Sequence, residues 1–271
     1  SKKDFYKNIE KAKKYIKDGD IFQIVPSHRF EMNFKYSAAK LYEVLRETNP
    51  SPFMYLFNFP GFNIVGSSPE ILVRVRDSKV TIRPIAGTRP RGKNKKEDLK
   101  NERDLLKDTK ELSEHMMLLD LGRNDVGRVV KTGSVKITSS FCVERYSHVM
   151  HIVSNVEGEL KKDKTLIDAL MAGFPAGTVT GAPKIRAMEI IDELEISKRG
   201  PYAGAVGYFS SMNEMDTCIV LRTGIIKNKK LYVQAGGGVV YDSKANYEYK
   251  ETVNKSMAVI GAAEIVNGNN Q

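Results

Sequence analysis

Several residue types are scarce in this sequence, and each scarcity excludes a class of protein. Only two of the 271 residues are cysteine, Cys142 and Cys218, and tryptophan is absent. Two thiols cannot form a disulfide framework or a four-cysteine zinc site, so we expect both to be buried and reduced in the cytoplasm. No apolar run approaches the ~18 residues of a membrane span, and the opening residues carry no signal-peptide pattern. We therefore expect neither a membrane protein nor a secreted disulfide scaffold.

Charge of one sign is in moderate excess. Lys and Arg number 43 against 33 Asp and Glu, which gives a formal net charge of +10. This excess suggests an anionic partner, but most lysines are interleaved with acidic residues, which is weak evidence for nucleic-acid binding. We expect no nucleic acid and no membrane as a partner. Apolar residues make up 41% of the chain, enough to form a sizeable core.

Alternating helix and strand periodicity predicts an α+β fold. Helices are expected at residues 4–17, 38–46 and 166–172, from Pro183 onwards, and at about 246–266. Strands are expected at 21–30, 62–87, 135–143, 202–210, 218–226 and 230–240. The apolar stripe of the fourth helix is expected to be Ile185, Met188, Ile191 and Leu194. The charged stretch 89–111 is interpreted as a mobile loop that leads into an amphipathic helix ending near Asp120. Because no low-complexity linker divides the chain, we predict one domain over residues 1–271.

The last predicted helix carries two carboxylates and a lysine on one face. Glu248, Glu251 and Lys255 lie within about 60° of one another around the helix axis. The opposite face carries an apolar cluster of Val253, Met257 and Ile260. On its own, this pattern is typical of a solvated face with a Glu251–Lys255 ion pair. The alternative is a carboxylate pair for a hard cation such as Mg²⁺, which takes oxygen ligands and keeps several waters.

Two further acids and two glycine-rich segments could carry chemistry. Glu114 lies near the end of the long predicted helix, where a surface position is the plain interpretation. Glu70 follows a tight turn beside apolar residues, which would favour its protonated form and suit general-acid work. The segment GTVTGAPK lacks Walker A spacing, yet Thr178 precedes a helix N-terminus that could receive a carboxylate. The run Gly236–Gly238 would either admit an anion to its backbone amides or form a bulge.

The histidines do not form a known metal-ligand pattern. His148 and His151 are spaced as HxxH rather than HExxH, and an extended segment would direct them to opposite faces. Zinc is therefore not expected. A histidine that transfers a proton or donates a hydrogen bond in a cleft stays open, because spacing alone does not decide it.

Taken in order, eleven segments resemble the chorismate-utilising enzymes, and most closely the catalytic part of the anthranilate synthase component I branch. The segments are GDIFQIVPSHRF, NPSPFMYLF, GSSPEIL, RPIAGTRPRG, SEHMMLLDLGRNDVGRV, SHVMHIVSNVEG, FPAGTVTGAPKIRAMEII, RGPYAGAVGY, LRTGII, AGGGVV and YEYKETVNKS. The resemblance covers residues 4 to 263. It implies two orthogonally packed antiparallel sheets flanked by helices, in agreement with the α+β prediction.

The resemblance also implies roles for individual residues. Mg²⁺ would lie between Glu114 and Glu251, with Glu248 nearby, and would bind the ring carboxylate of chorismate. Glu70 would protonate the departing C4 hydroxyl, and His151 would contact the reacting ring and assist loss of pyruvate. The enolpyruvyl carboxylate and the surrounding anionic pocket would be held by Arg222, Tyr202, the amides of Gly236, Gly237 and Gly238, Lys255 and Thr178.

Two positions indicate the reaction within the family. Water-adding members carry a lysine base where this chain has Gln23, and a glutamine cannot deprotonate water, so ammonia is the expected nucleophile at C2. The para-aminobenzoate branch carries a lysine in PIKGT, where this chain has Ala86 and no nucleophile. We therefore expect anthranilate formation through an aminodeoxyisochorismate intermediate. Ammonia would come from a separate glutamine amidotransferase subunit, since neither cysteine lies in a recognisable amidotransferase motif.

Other interpretations stay open on sequence alone. They are component I of aminodeoxychorismate synthase, an aminodeoxyisochorismate synthase without lyase activity, an inactive binding module and a basic nucleic-acid-binding domain. Full-length family members resemble this chain only in their second half. The sequence is therefore expected to lack their N-terminal portion, which carries most of the tryptophan feedback site, while NPSPFM matches the part that the catalytic half contributes.

Overall fold

A computed structural model describes residues 1–146 and 149–268. Within these residues the helices are α1 Lys2–Lys17, α2 Ala38–Thr48, α3 Lys95–Leu105, α4 Thr109–Gly127, α5 Leu166–Gly173, α6 Lys184–Leu194 and α7 Ala245–Val266. The strands are β1 Gln23–Ile24, β2 Ser27–Asn33, β3 Phe53–Phe59, β4 Phe62–Ser68, β5 Ile71–Arg76, β6 Lys79–Ile82, β7 Ile85–Pro90, β8 Lys136–Arg145, β9 Val149–Glu159, β10 Gly181–Ala182, β11 Ala205–Phe209, β12 Met215–Ile219, β13 Thr223–Lys227 and β14 Lys230–Gly236. This arrangement is an α+β fold and confirms the predicted class.

The strands form three sheets, and the chain forms two compact units. A five-stranded sheet has the order β2-β14-β13-β4-β3, and β1 pairs with β10. A seven-stranded sheet has the order β11-β12-β5-β6-β9-β7, with β8 also paired to β9. The first unit contains Ser1–Pro69, Pro175–Val206 and Cys218–Gln271, and the second contains Glu70–Phe174 and Gly207–Thr217.

Two of the apolar clusters in the first unit involve its helices. In one, α2 and α7 pack on the five-stranded sheet, and Leu41, Leu45, Leu231 and Val259 are fully buried. In the other, α1 packs against α6 through a cluster of Phe5, Ile9, Ala12, Ala187, Ile190, Ile191 and Leu194. The period of these residues is that of amphipathic helices, which is why α1, α2 and α7 could be predicted from sequence.

The predicted apolar stripe of α6 was wrong in half of its residues. Ile191 and Leu194 are buried, but Ile185 is 71% exposed and Met188 is 37% exposed. The helix carries apolar side chains on both faces, so periodicity alone did not select the face. The face that contains the small side chain of Ala187 packs against α1.

The charged stretch interpreted as a mobile loop is also different in the structure. It contains α3, which begins where the Asn94 side chain accepts a hydrogen bond from the Glu97 backbone N–H at 3.0 Å. Arg91 donates to Asp98 from Nε, at 2.9 and 3.1 Å, and from Nη2, at 2.7 Å. The Arg91 guanidinium and the Gly92 amide lower the pKa of Asp98 to about 2. Capping and ion pairing therefore order this segment, and the next helix, α4, extends past Asp120 to Gly127.

Two smaller expectations also need correction. Residues 218–226 are not one strand, because β12 ends at Ile219 and β13 begins at Thr223 in a different sheet. Both cysteines carry free thiols as expected, but Cys142 is exposed and only Cys218 is buried. Within the described part of the chain, no helix is both long and apolar enough to cross a bilayer.

Candidate active site

The carboxylate face of α7 is turned inward at its N-terminal end. Glu248 is 2% exposed, and one and two helical turns further on Thr252 and Ser256 are buried as well. A solvated face is therefore the wrong interpretation for Glu248. The predicted apolar side of the helix is partly open, since Met257 is 41% exposed.

Glycine explains how the Glu248 carboxylate fits. A Cβ atom built on Gly237 would lie 3.3 Å from Glu248 Oε2, so the missing side chain leaves room for the carboxylate beside the backbone. A buried carboxylate is unfavourable unless positive charge or donors oppose it. The position therefore suits a group that meets a cation.

Lys255 and Tyr202 lie close to Gly236, at the end of β14. Lys255 Nζ donates to the Gly236 carbonyl oxygen at 3.1 Å and pairs with Glu251 Oε1 at 2.6 Å. A Cβ atom on Gly236 would lie 2.8 Å from Tyr202 Oη. Burial raises the pKa of Tyr202, against the positive charges of Arg199 and Lys255. At neutral pH this phenol is a neutral hydrogen-bond donor, and with the Lys255 ammonium it forms an anion-binding corner.

Three more predicted residues lie on other elements of the first unit. Gln23 is 1% exposed and lies opposite Ala182 in the β1–β10 pair. Thr178 lies in a single 3₁₀ turn, Gly177–Val179. Arg222 has φ of 46° in the turn between β12 and β13, and its carbonyl accepts a hydrogen bond from the Ser67 amide at 3.2 Å. Of the three glycines, Gly237 already donates its amide to the Pro26 carbonyl, at 3.3 Å.

In the second unit, a β-bulge orients His151. The β7–β9 register shifts between Ala86 and Thr88, and the intervening Gly87 has φ of 74°. The Gly87 carbonyl lies 3.2 Å from His151 Nδ1, and Thr88 Oγ1 lies 3.0 Å from the same nitrogen. A carbonyl can only accept, so this contact places the proton of a neutral ring on Nδ1 and the lone pair on Nε2. The glycine of PIAGT is therefore needed for backbone geometry.

Tyr146 packs beside His151, and the sequence analysis assigned it no role. The Tyr146 and His151 rings meet edge to face with centroids 5.5 Å apart. Burial, with smaller effects of the Glu144 and Glu70 charges, raises the pKa of Tyr146 to about 12. Glu70 itself is only 8% exposed, as expected for a carboxyl next to apolar neighbours. The aromatic residue just before SHVMHIV was the available sequence signal.

Glu114 lies on α4 next to a buried anchor. The neighbouring His115 is fully buried, and its Nε2 lies 2.7 Å from Ser154 Oγ on β9. Ser154 Oγ also accepts the Phe141 amide hydrogen at 3.0 Å. This contact fixes the helix that carries Glu114 on the strand that carries His151. His148, the other half of the HxxH pair, lies outside the described residues.

The carboxylates of the first unit suit a hard cation. Among residues 1–146 and 149–268, no group of three or more His, Cys, Asp or Glu side chains is arranged to hold a metal ion. Mg²⁺ does not require such a group, since one or two protein carboxylates, waters and substrate oxygens complete its shell. Glu248, in the space beside Gly237, and Glu251, one turn along α7, are donors of the right chemistry.

A family model decides what kind of protein this is. The model described as chorismate binding enzyme matches residues 1–261. The chain belongs to the chorismate binding enzyme family. This membership agrees with the resemblance drawn from the eleven sequence segments.

Two curated relatives of this chorismate binding enzyme carry the same name. The chain is 63% identical over 256 residues to "Anthranilate synthase component 1" of Cereibacter sphaeroides, covering 94% of this chain and 51% of the relative. It is 56% identical to the protein of that name from Pseudomonas aeruginosa, covering 98% of this chain and 54% of the relative. The chain thus spans about half the length of these curated relatives.

Solved structures support the fold of this chorismate binding enzyme. The anthranilate synthase component I of Streptococcus pneumoniae is 48% identical, with a TM-score of 0.90 over 96% of this chain and 57% of that chain. The menaquinone-specific isochorismate synthase of Escherichia coli is 25% identical, with a TM-score of 0.89 over 97% of this chain and 61% of that chain. The same fold therefore occurs in proteins whose names indicate different reactions.

Proposed function

We propose that this chorismate binding enzyme converts chorismate and ammonia to anthranilate, pyruvate and water. The observation that carries the proposal is the 56–63% identity, over 94–98% of this chain, to proteins named anthranilate synthase component 1. The structural match to a component I at 48% identity supports the same reaction over the isochorismate one. We further propose that residues 1–271 act as one catalytic domain in a reducing cytoplasm, in keeping with two free thiols.

Recognition of chorismate follows from its two carboxylates. We assign the enolpyruvyl carboxylate to the corner formed by Tyr202, Lys255 and the backbone of Gly236–Gly238, with Arg222 and Thr178 as further donors. A neutral phenol and an ammonium beside glycine backbone are preorganised donors, and such donors offset the desolvation of an anion. Mg²⁺ bound by Glu248, Glu251 and Glu114 would neutralise the ring carboxylate and polarise it as a Lewis acid.

Amination comes first in the proposed reaction. Ammonia forms a bond to C2, the ring double bonds shift, and the C4–O bond breaks as Glu70 protonates the leaving hydroxyl to release water. The buried position of Glu70 suits this task, because little bulk water competes for its proton. The Gln23 amide is not basic enough to deprotonate water, and the Ala86 methyl group cannot form an adduct at C2. Ammonia is therefore the proposed nucleophile.

Elimination of pyruvate follows. The hydrogen on C2 leaves as a proton, the C3–O bond breaks, and the ring becomes aromatic as enolpyruvate departs and ketonises to pyruvate. We assign acceptance of the C2 proton to His151, since the Gly87 carbonyl holds the proton of its neutral ring on Nδ1 and leaves the lone pair on Nε2. Ammonia would be supplied by a glutamine amidotransferase partner, and a high concentration of free ammonium should replace that partner.

The test is product identification with the purified chain. Chorismate, Mg²⁺ and ammonium are incubated at alkaline pH, anthranilate is followed by its fluorescence, and pyruvate is followed with a coupled dehydrogenase. Equal amounts of anthranilate and pyruvate are expected, with loss of both on chelation of the metal. Formation of a 4-amino isomer, or of isochorismate, without anthranilate would refute the proposal.

A further inference from the structure

A buried ion pair lies under the substrate-binding residues of the first unit and has no part in the proposed chemistry. The Glu195 side chain is 5% exposed and the Arg199 side chain 15% exposed. Arg199 Nη2 lies 2.6 Å from Glu195 Oε1, and Arg199 Nε lies 3.0 Å from Oε2. The guanidinium and the carboxylate therefore meet in a two-point contact.

The remaining donors of Arg199 connect two separate segments. Nη1 donates to the Val179 carbonyl at 2.7 Å, and Nη2 donates to the Val25 carbonyl at 2.7 Å. Val179 directly follows Thr178, and Val25 lies two residues after Gln23. One planar guanidinium thus fixes the backbone beside two proposed site residues.

The remaining contacts of the pair involve Ser27 and Tyr202. Glu195 Oε1 accepts hydrogen bonds from the Ser27 amide at 2.7 Å and from Ser27 Oγ at 2.8 Å. Ser27 is the register partner of Gly236 between β2 and β14. The Arg199 guanidinium also lies over the Tyr202 ring, 5.3 Å from its centroid. The pair therefore touches the supports of Gly236 and Tyr202 as well.

We propose that Arg199 and Glu195 are positioning residues that set the relative placement of Gln23, Thr178, Tyr202 and Gly236. A buried ion pair adds little stability over a well-packed apolar pair, so stability alone is a poor reason for it. The planar fork of arginine, in contrast, presents donors in fixed directions, and lysine cannot reproduce them. Two experiments test this inference. The structural arm measures hydrogen exchange and does not depend on the proposed function, while the substrate arm measures kinetics and rests on it.

The structural arm compares Arg199→Lys with a matched control, Arg186→Lys. Arg186 lies on α6, bonds to Asp20 and Glu189 at 2.8 Å each, and lies 5.5 Å from the ring centroid of Tyr15 on α1. These three partners lie outside the four site segments. Hydrogen exchange is measured by mass spectrometry on peptides spanning residues 22–27 and 176–182.

Arg199→Lys is expected to accelerate exchange in both peptides by about tenfold or more, the effect of losing one or two charge-assisted hydrogen bonds. The amide of Val25, which bonds to the Thr180 carbonyl at 2.9 Å, is a direct reporter. Arg186→Lys should leave both peptides unchanged. Equal exchange in the two variants would overturn the inference. If Arg199→Lys does not fold, Ser27→Ala removes one Glu195 contact and keeps the ion pair, and unchanged exchange of residues 22–27 in that variant would also overturn it.

The substrate arm separates positioning from general stability. Arg199→Lys should raise the KM for chorismate by about tenfold or more and lower kcat less, because displaced donors weaken binding without removing a reacting group. Arg186→Lys should leave both constants unchanged. A fall in kcat with unchanged KM, or equal effects in the two variants, would overturn the inference. An inactive parent chain would refute the proposed function, while the exchange comparison would still decide whether Arg199 holds these segments.

Discussion

Replacing Gly236 by alanine tests the anion-binding corner at its most crowded point. The added Cβ would lie 2.8 Å from Tyr202 Oη, 3.0 Å from the Pro26 carbonyl oxygen and 3.1 Å from Val25 Cγ1. The shortest of these contacts is closer than ordinary carbon–oxygen contact and requires a shift. One of the three neighbours is backbone, and Tyr202 is buried against Arg199. An added methyl group at position 236 therefore has no room unless one of these three neighbours shifts.

The magnitude follows from two opposing effects. Overpacking of a filled site destabilises by about 1–3 kcal/mol. Loss of glycine's freedom in the unfolded chain returns about 0.4–1 kcal/mol. A net loss of about 1–2 kcal/mol is expected, which lowers the Tm of a chain of this length by about 2–4 °C. Because the Tyr202 hydroxyl must move, the KM for chorismate should rise as well. Converted to free energy, this rise should exceed the loss of unfolding free energy.

The assay combines thermal unfolding with kinetics, and two variants serve as comparisons. Gly127→Ala is the control, because a Cβ at that helix end meets nothing within 4 Å. It should leave Tm unchanged or slightly raised. Adding Tyr202→Phe to Gly236→Ala removes the nearest clashing atom and should recover part of the stability but not the KM, giving a nonzero coupling energy. A Gly236→Ala chain with the Tm and KM of the parent would refute the reasoning.

Three further changes test other parts of the site. Glu251→Gln should leave the free energy of unfolding within about 1 kcal/mol of the parent but strongly raise the Mg²⁺ concentration for half-maximal turnover. Glu264→Gln on the same helix should not change that concentration, and equal Mg²⁺ curves for the two variants would remove Glu251 from the proposed metal site. Gln23→Lys should produce isochorismate, detected by chromatography, but at a low rate, because a lysine at a 1% exposed position is poorly solvated. The absence of any isochorismate would show that a lysine at this position is insufficient for water addition. Burial lowers the pKa of His28 from 6.5 to about 4, so its neutral form contributes about 1–3 kcal/mol that is present above pH 6.5 and lost as pH falls towards 4. Urea unfolding of His28→Gln should be less dependent on pH in that window, and parallel profiles would contradict the assignment.

The fold class and most elements could be predicted because the periodicity of their apolar residues indicates helix or strand. The chain from Phe62 to Pro90 forms strands in antiparallel pairs as expected. The turn at Asp77 and Ser78 has positive φ at both residues, which is typical of a tight hairpin. The mobile loop predicted for the α3 segment was wrong for the opposite reason. Its order comes from the Asn94 cap and the Arg91–Asp98 pair rather than from an apolar stripe, and charge patterns do not distinguish paired from solvated residues.

The candidate site was less predictable than the fold. Local spacing placed Glu248, Glu251 and Lys255 on one face of a helix, but it could not tell that Glu248 would be buried. That burial depends on Gly237, eleven residues earlier in the chain and on a different element. Tyr146 and the Arg199–Glu195 pair were missed because their importance comes from contacts between distant segments, which one sequence does not reveal.

The arrangement of α7 shows why its sequence pattern was misleading. An amphipathic helix normally buries its apolar face, yet the N-terminal half of this one buries Glu248, Thr252 and Ser256. Its C-terminal half buries apolar side chains, at Val259, Ala262 and Ala263. Thr252 is satisfied by the half-buried ring of His28, whose Nε2 lies 2.7 Å from Thr252 Oγ1. Burying such a polar stripe against a glycine-containing strand end gives less stability than an apolar stripe would. The polar stripe has a physical reason if this face binds a charged molecule, because the carboxylate is then held in place and partly desolvated before that molecule arrives.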